Sequence, residues 1–405
     1  MNRRTLLKSA AGLGGAAFLA RPALAQNSRA GTLRFIPQAN LSALDPIWTT
    51  ATVTSNHGYY IFDTLFALDA ENRVQPQMAE GHEVADGGKL WRFRLREGLK
   101  FHDGAPVRSA DCIASIRRWG SRDPFGQLVA GITEEWKVVD DRNFELRLNR
   151  SFPALLEALA KAEANVPFIM PERLAKTDGA TAITEMVGSG PYRFVPGEFN
   201  SGSRAVYTKF DGYVPRPEGK AEGSAGPKHA HFERVEVLVM PDGATAAAAL
   251  RQGEVDWLRW PLIDLVPALR RAPGVTVDVI EPLGLIGKFR FNHLNPPFDK
   301  VAVRRAILPA LSQAEYMMAA QGDDRSLWRD GVGYFCPGTP MASEAGMEAL
   351  TAPRDLARAK AALAVSGYGG EKVVVMMPTD FPIYNAMAEV TGELLRKIGF
   401  DTEVQ

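Results

Sequence analysis

Between Lys89 and Arg96 the sequence alternates strictly, with Trp91, Phe93 and Leu95 separated by Arg92, Arg94 and Arg96. A period of two puts the apolar side chains on one face and the arginines on the other, so the segment predicts a half-buried strand. Such a strand needs a second layer to cover its apolar face. The following sequence supplies one. Ser109 stands where an N-cap is expected, and Ile113, Ile116 and Trp119 recur at helical spacing as a buried stripe. Trp136–Val139 and Phe144–Leu148 predict a hairpin across the polar turn Asp140-Asp141-Arg142-Asn143.

The rest of the chain divides by pattern. Before residue 260, strands are expected at 32–36, 192–196, 205–210, 235–239 and 255–257, with helices through Tyr60-Ile61-Phe62 and at 244–250. Residues 214–229 are rich in Pro, Gly and Lys and read as an exposed loop. After Trp260, strands are expected at 275–280, 288–291 and 373–377, and another begins at 402–404. Helices are expected from Val301 onward, at 355–365 with Gly367 as the stop, and at 384–398. Hairpins mixed with helices thus give way to alternating strand and helix. With 405 residues exceeding one hydrophobic core, this predicts an α/β protein of two lobes with mixed sheets. Lobe I spans 26–258, with a hairpin-rich subdomain at about 58–185, and lobe II spans 259–405.

The N-terminus says where the chain works. Arg3-Arg4 and Lys8 precede an Ala/Gly-rich apolar run that ends at Ala23-Leu24-Ala25, the layout of a signal peptide of twin-arginine type removed near Ala25. The run is too short and Gly-rich for a membrane anchor. The chain has 47 basic and 47 acidic residues, and four of the basic ones (Arg3, Arg4, Lys8 and Arg21) lie in this leader, so the remainder is slightly acidic. That excludes a nucleic-acid partner as an expectation. Cys112, in a predicted helix, and Cys336, in a distant loop, read as two separate cysteines.

Several segments in order resemble the family-5 extracellular solute-binding proteins of ABC importers, the peptide and nickel binders. The longest is PQMAEGHEVADGGKLWRFRLREGLKFHDGAPVRSADCIASIRRW at 76–119. GSGPYRF at 188–194, LRQGEVDW at 250–257 and FNHLNPPFDKVAVRRAI at 291–307 follow, then Gly338-Thr339-Pro340 and DLARAKAALAVSGY at 355–368. Gly81-His82 replaces the usual Ser-Trp, and Pro309 interrupts the Val301 helix. The motif residues build scaffold. Gly188 and Gly190 make a tight strand entry, Phe298 buries a loop, and Asp299 is a candidate cap. The resemblance implies a periplasmic, monomeric protein with a ligand cleft between its lobes, which delivers a solute to a permease and its ATPase subunits. It also implies that the second lobe is incomplete at Gln405, with much of the ligand-selecting sequence further on.

By the same resemblance the ligand contacts are Trp48, Thr49 and Thr50 (with Ala51) after Leu44-Asp45-Pro46, Phe125, Arg259 and Trp260 at the crossover, and Leu283 to Gly287. Trp260 suits stacking and Arg259 suits a carboxylate. Each is equally readable as core or surface. The expected ligand is a peptide, with nickel complexes, oligosaccharides and opine-like compounds as alternatives on the same scaffold. His229-x-His231 lacks a third metal partner nearby and reads as a solvated pair. His102 reads as structural. Ser189 lies in Gly-Ser-Gly rather than Gly-x-Ser-x-Gly, and no carboxylate pair stands out, so neither catalysis nor a cofactor is expected.

Overall fold

A computed structural model of the chain describes residues 31–379 and 381–405. The leader and its cleavage site lie outside the described residues. Two compact units emerge. One runs to Met240 and takes back Glu254–Arg259, while the other comprises Pro241–Gly253 and Trp260–Gln405. Among the described residues no helix is long and apolar enough to cross a membrane.

The first unit holds the strand in which tryptophan, phenylalanine and leucine alternate with arginines. Leu90–Leu95 sits inside a four-stranded antiparallel sheet, in the order Ala79–Ala85, Leu90–Leu95, Asn143–Leu148, Thr133–Val138. Trp91, Phe93 and Leu95 are buried while Arg92 and Arg94 are exposed, as the alternation requires. Helix Ser109–Gly120 covers the apolar face with Ile116 and Trp119, each 1% exposed. Its N-cap is Arg108 rather than Ser109. Ser109 is the first helical residue, and its hydroxyl donates to the Asp140 carbonyl in the facing hairpin turn, so it ties helix to sheet instead of capping. The Asp111 carboxylate reaches back to the Arg108 amide at 2.7 Å and does the capping work.

A five-stranded mixed sheet forms the second layer system of this unit, in the order Tyr192–Phe194, Arg204–Lys209, Arg234–Leu238, Thr32–Ile36, Trp257–Leu258. Thr32–Ile36 pairs in parallel with both of its neighbours, and the other pairs are antiparallel. Around it Phe35, Tyr207, Val235, Val237, Ile61 and Phe62 make a second core. The 214–229 segment has no helix or strand, but it is not simply exposed. Ala225 and Gly226 are buried, and Lys228 donates to the buried Asp63 carboxylate at 2.7 Å.

The second unit packs helices Val301–Ile307, Leu356–Ala364 and Pro382–Ile398 around the parallel strand pair Val373–Val375 and Thr402–Val404. Asp355 caps its helix, accepting from the Arg358 amide at 2.8 Å. Asp299 does not cap the Val301 helix, since Lys300 is the N-cap and makes no side-chain bond there. The strands expected at 275–280 and 288–291 are absent. Those runs have the right composition but no partner ladder among the described residues, and Ile280 is 73% exposed.

Two close contacts in the first unit generate tests. Gly188 and Gly190 lie against the end of helix Thr52–Ile61. A Cβ on Gly188 would stand 2.1 Å from the Ile61 oxygen, and the Gly190 amide donates to that oxygen at 2.7 Å. His102 binds the same glycines, Nε2 donating to the Gly190 carbonyl at 3.0 Å and Nδ1 accepting from the Gly188 amide at 3.3 Å. Gly188→Ala therefore destabilises the first unit by about 1–3 kcal/mol, read as a lower midpoint in urea. His102 and the fully buried His57 are both held neutral. Burial lowers His57 to about 3 and His102 to about 4. Unfolded histidine takes up its proton near 6.5 while these folded side chains do not, so stability is level above that pH and falls as the pH drops toward 4. Urea titrations should show about 3 kcal/mol less stability at pH 5.5 than at 7.5. His102→Gln should remove roughly half of that difference, and an unchanged slope in this variant would refute the assignment.

Candidate functional site

Trp48, Thr49 and Thr50 line one open pocket of about 480 Å³, together with Ile47, Ser121, Arg122, Gln127 and Asn165, all in the first unit. Three short loops make it, and each is held by a specific interaction.

The 47–50 loop is anchored by Asp45. Its carboxylate pairs with both terminal nitrogens of Arg118 at 3.1 and 2.7 Å, and both side chains are 1% exposed. The remaining valences are filled: Asp45 accepts from the Ile47 and Ile183 amides, and Arg118 donates to the Thr177 and Thr181 carbonyls. A buried ion pair is tolerated when its hydrogen bonds are saturated in this way. Beyond it, the Thr49 hydroxyl accepts from the Ala51 amide at 3.1 Å, and the Ala51 carbonyl accepts from Thr54 at 3.0 Å to start helix Thr52–Ile61.

The second loop joins two helices. Asp123 caps helix Pro124–Ile132 by accepting from Phe125 and Gly126 at 2.9 and 3.0 Å, and Pro124 occupies the first turn. This leaves Arg122 at the pocket edge, its guanidinium 5.5 Å from the centre of the Trp48 ring. The third loop is clamped by Lys161, which pairs with Asp123 and donates to the Ala164 carbonyl. Ala164 and Asn165 take positive φ values of 47° and 55°. The Trp119 indole donates to the Asn165 carbonyl at 2.6 Å, which holds that backbone in place. Non-glycine residues in this region cost of order 1 kcal/mol or more and are kept where the surroundings over-determine them.

The other expected contacts are not among the residues that line this pocket. Phe125 is half-buried, edge-on to Phe152 at 5.9 Å, while its neighbour Gln127 does line the pocket. Arg259 continues the sheet edge through its amide to Ile36 at 3.1 Å. Burial lowers its pKa, and the Glu163 charge acts in the opposite sense. Trp260, Leu283 and Gly287 belong to the second unit. There Trp260 is 36% exposed, Leu283 is half-buried, and Gly287 lies against the methyl ends of Met387 and Met317.

Sequence reasoning missed Arg122 and Asn165. Asp123-Pro124 was a legible helix start that puts Arg122 in a turn. Nothing in the local sequence marks Asn165.

The His229 and His231 rings lie 6.3 Å apart, outside the one acidic or histidine triad found among the described residues. That triad, Asp69, Glu71 and Glu222, is engaged by Arg73, at 3.0 Å from Asp69 and 2.8 Å from Glu71. The Ser189 hydroxyl is buried against the Met78 sulfur, and His102 binds backbone rather than this serine. Cys112 is buried and Cys336 half-buried, neither in a disulfide.

Residues 73–405 match the description bacterial extracellular solute-binding proteins, family 5 Middle. The chain belongs to this family. Over its whole length it is 35% identical to a probable peptide ABC transporter periplasmic-binding protein of Sinorhizobium fredii, covering 76% of that protein. It is 25% identical to the glutathione-binding protein of Salmonella typhi over 90% of this chain and 67% of the relative. In fold it is similar to a Helicobacter pylori periplasmic binding protein solved with the peptide STSA (TM-score 0.74, 22% identity, 93% of this chain and 73% of that one). It is also similar to the A. tumefaciens R10 protein AgaA solved with agropinic acid (TM-score 0.73, 23% identity, 93% and 72%). The two-lobed α/β class and the solute-binding family expected from the sequence are both borne out.

The Asp45–Arg118 pair carries a direct test. Asp45→Asn leaves a buried guanidinium facing a neutral amide and should cost about 3–5 kcal/mol in urea unfolding.

Proposed function

We propose that the protein is the substrate-binding subunit of an ABC importer that captures short peptides outside the cytoplasmic membrane. The observation that carries this is the match, along the whole chain, to the Sinorhizobium fredii peptide-transporter binding protein. The protein binds its solute without turning it over and hands it to a permease driven by ATPase subunits. It acts as a monomer in the periplasm, reached through the twin-arginine leader that is removed near Ala25.

Trp48, Thr49 and Thr50 suit a peptide, since a half-exposed indole offers an apolar surface beside hydroxyls and backbone groups that pair with an extended chain. Phe125, Arg259, Trp260, Leu283 and Gly287 are the remaining proposed contacts, with lobes divided near residue 258. An opine-like ligand is the second reading, favoured by the similarity to AgaA, whose structure holds agropinic acid.

Native mass spectrometry of the protein purified from its own periplasm identifies the ligand. A thermal-shift screen then checks it. Di- to pentapeptides at about 100 times their Kd should stabilise by about 2.7 kcal/mol, a rise of several degrees. Stabilisation by oligosaccharides with none by peptides would refute the assignment.

A further inference from the structure

The pocket of the first unit contains two polar side chains whose chemistry is not completed within the protein. Asn165 is 8% exposed, and its Oδ1 is buried with no hydrogen-bond partner among the described residues. An unsatisfied buried acceptor costs on the order of 1–3 kcal/mol. The protein has nevertheless fixed it there. Lys161 and Trp119 pin the backbone on both sides of Asn165, at a positive φ that asparagine tolerates better than most residues. Arg122 is the complement. It is exposed and borders the same pocket, and it appears in none of the ion pairs among the described residues. Its guanidinium is held instead over the Trp48 ring. Helix Thr52–Ile61 begins two residues after Thr50, so the positive end of its dipole lies at the same edge, and its N-cap Ala51 offers no side chain to satisfy it.

We propose that this pocket reads a terminal carboxylate next to an N–H donor, with Arg122 taking the carboxylate and Asn165 Oδ1 taking the N–H. A peptide presents both groups within one residue of its C-terminus. A neutral saccharide offers hydroxyls but no anion, and a bare divalent cation is repelled by Arg122. Trp48 completes the site by fixing the guanidinium plane and covering the last side chain. This deepens the peptide reading and rests on it.

The test is calorimetry on the intact protein with three probes: trialanine, trialanine amide and maltotriose. Trialanine should bind at least tenfold more tightly than its amide, the equivalent of one charge-assisted hydrogen bond. Arg122→Gln, at an exposed position, should abolish that preference by weakening trialanine alone. Asn165→Gly removes the amide without backbone strain and should weaken trialanine and its amide by the same factor. Equal binding of acid and amide by the unaltered protein would overturn the assignment while leaving the peptide reading intact. So would an Arg122→Gln variant that loses both ligands alike with an unchanged unfolding midpoint. Binding of maltotriose with neither peptide bound would overturn the peptide reading and this assignment together.

Discussion

The buried pair of Asp45 and Arg118 is the interaction on which the first unit's pocket depends. Two charges withdrawn from water are costly, and here four further hydrogen bonds to Ile47, Ile183, Thr177 and Thr181 make the burial tolerable. Those bonds join three stretches far apart in the chain: the turn before Trp48, helix Ser109–Gly120, and the segment 177–183. The helix is thus used on several faces. Ile116 and Trp119 bury it against the four-stranded sheet, Arg118 holds the 47–50 loop, and the Trp119 indole fixes the Asn165 backbone. The pocket is a by-product of one helix being immobilised from all these directions.

A second anchor lies at the end of helix Thr52–Ile61. Gly188 and Gly190 approach Ile61 more closely than any side chain would allow, and His102 locks both glycines through its two ring nitrogens. Asp63, just past the helix, collects Lys228 and Tyr213 at 2.7 and 2.9 Å, which ties down the long irregular segment before strand Arg234–Leu238. The helix is therefore held at both ends by polar contacts, and its N-terminal end is the one that meets the pocket. The recurring motifs serve this scaffold. Most of the pocket side chains sit outside those motifs, on the connections at 47–50, 121–122 and 165.

Much of this was legible in advance. The alternation at Lys89–Arg96, the stripe Ile113-Ile116-Trp119, the hairpin around residue 140 and the helix that follows Asp355 are local signals, and short-range physics decides them. The site was legible only in part. Trp48, Thr49 and Thr50, expected from the family resemblance, line one pocket together because they are contiguous. Arg122 and Asn165 were not, because only packing brings Ser121–Asp123 beside the 164–165 turn. The runs at 275–280 and 288–291 failed for the complementary reason, since strand composition cannot provide a partner strand.

The sequence by itself determined most of the periodic elements and membership in a family of solute binders. These follow from side-chain spacing and from motifs that can be read one segment at a time. Tertiary structure alone decided that Asp45 meets Arg118 across 73 residues, that Asn165 has an acceptor unpaired among the described residues, and that Arg122 stands over Trp48. The physical reason is that desolvation and hydrogen-bond saturation depend on what surrounds a group in space. A chain read in one dimension does not contain that quantity.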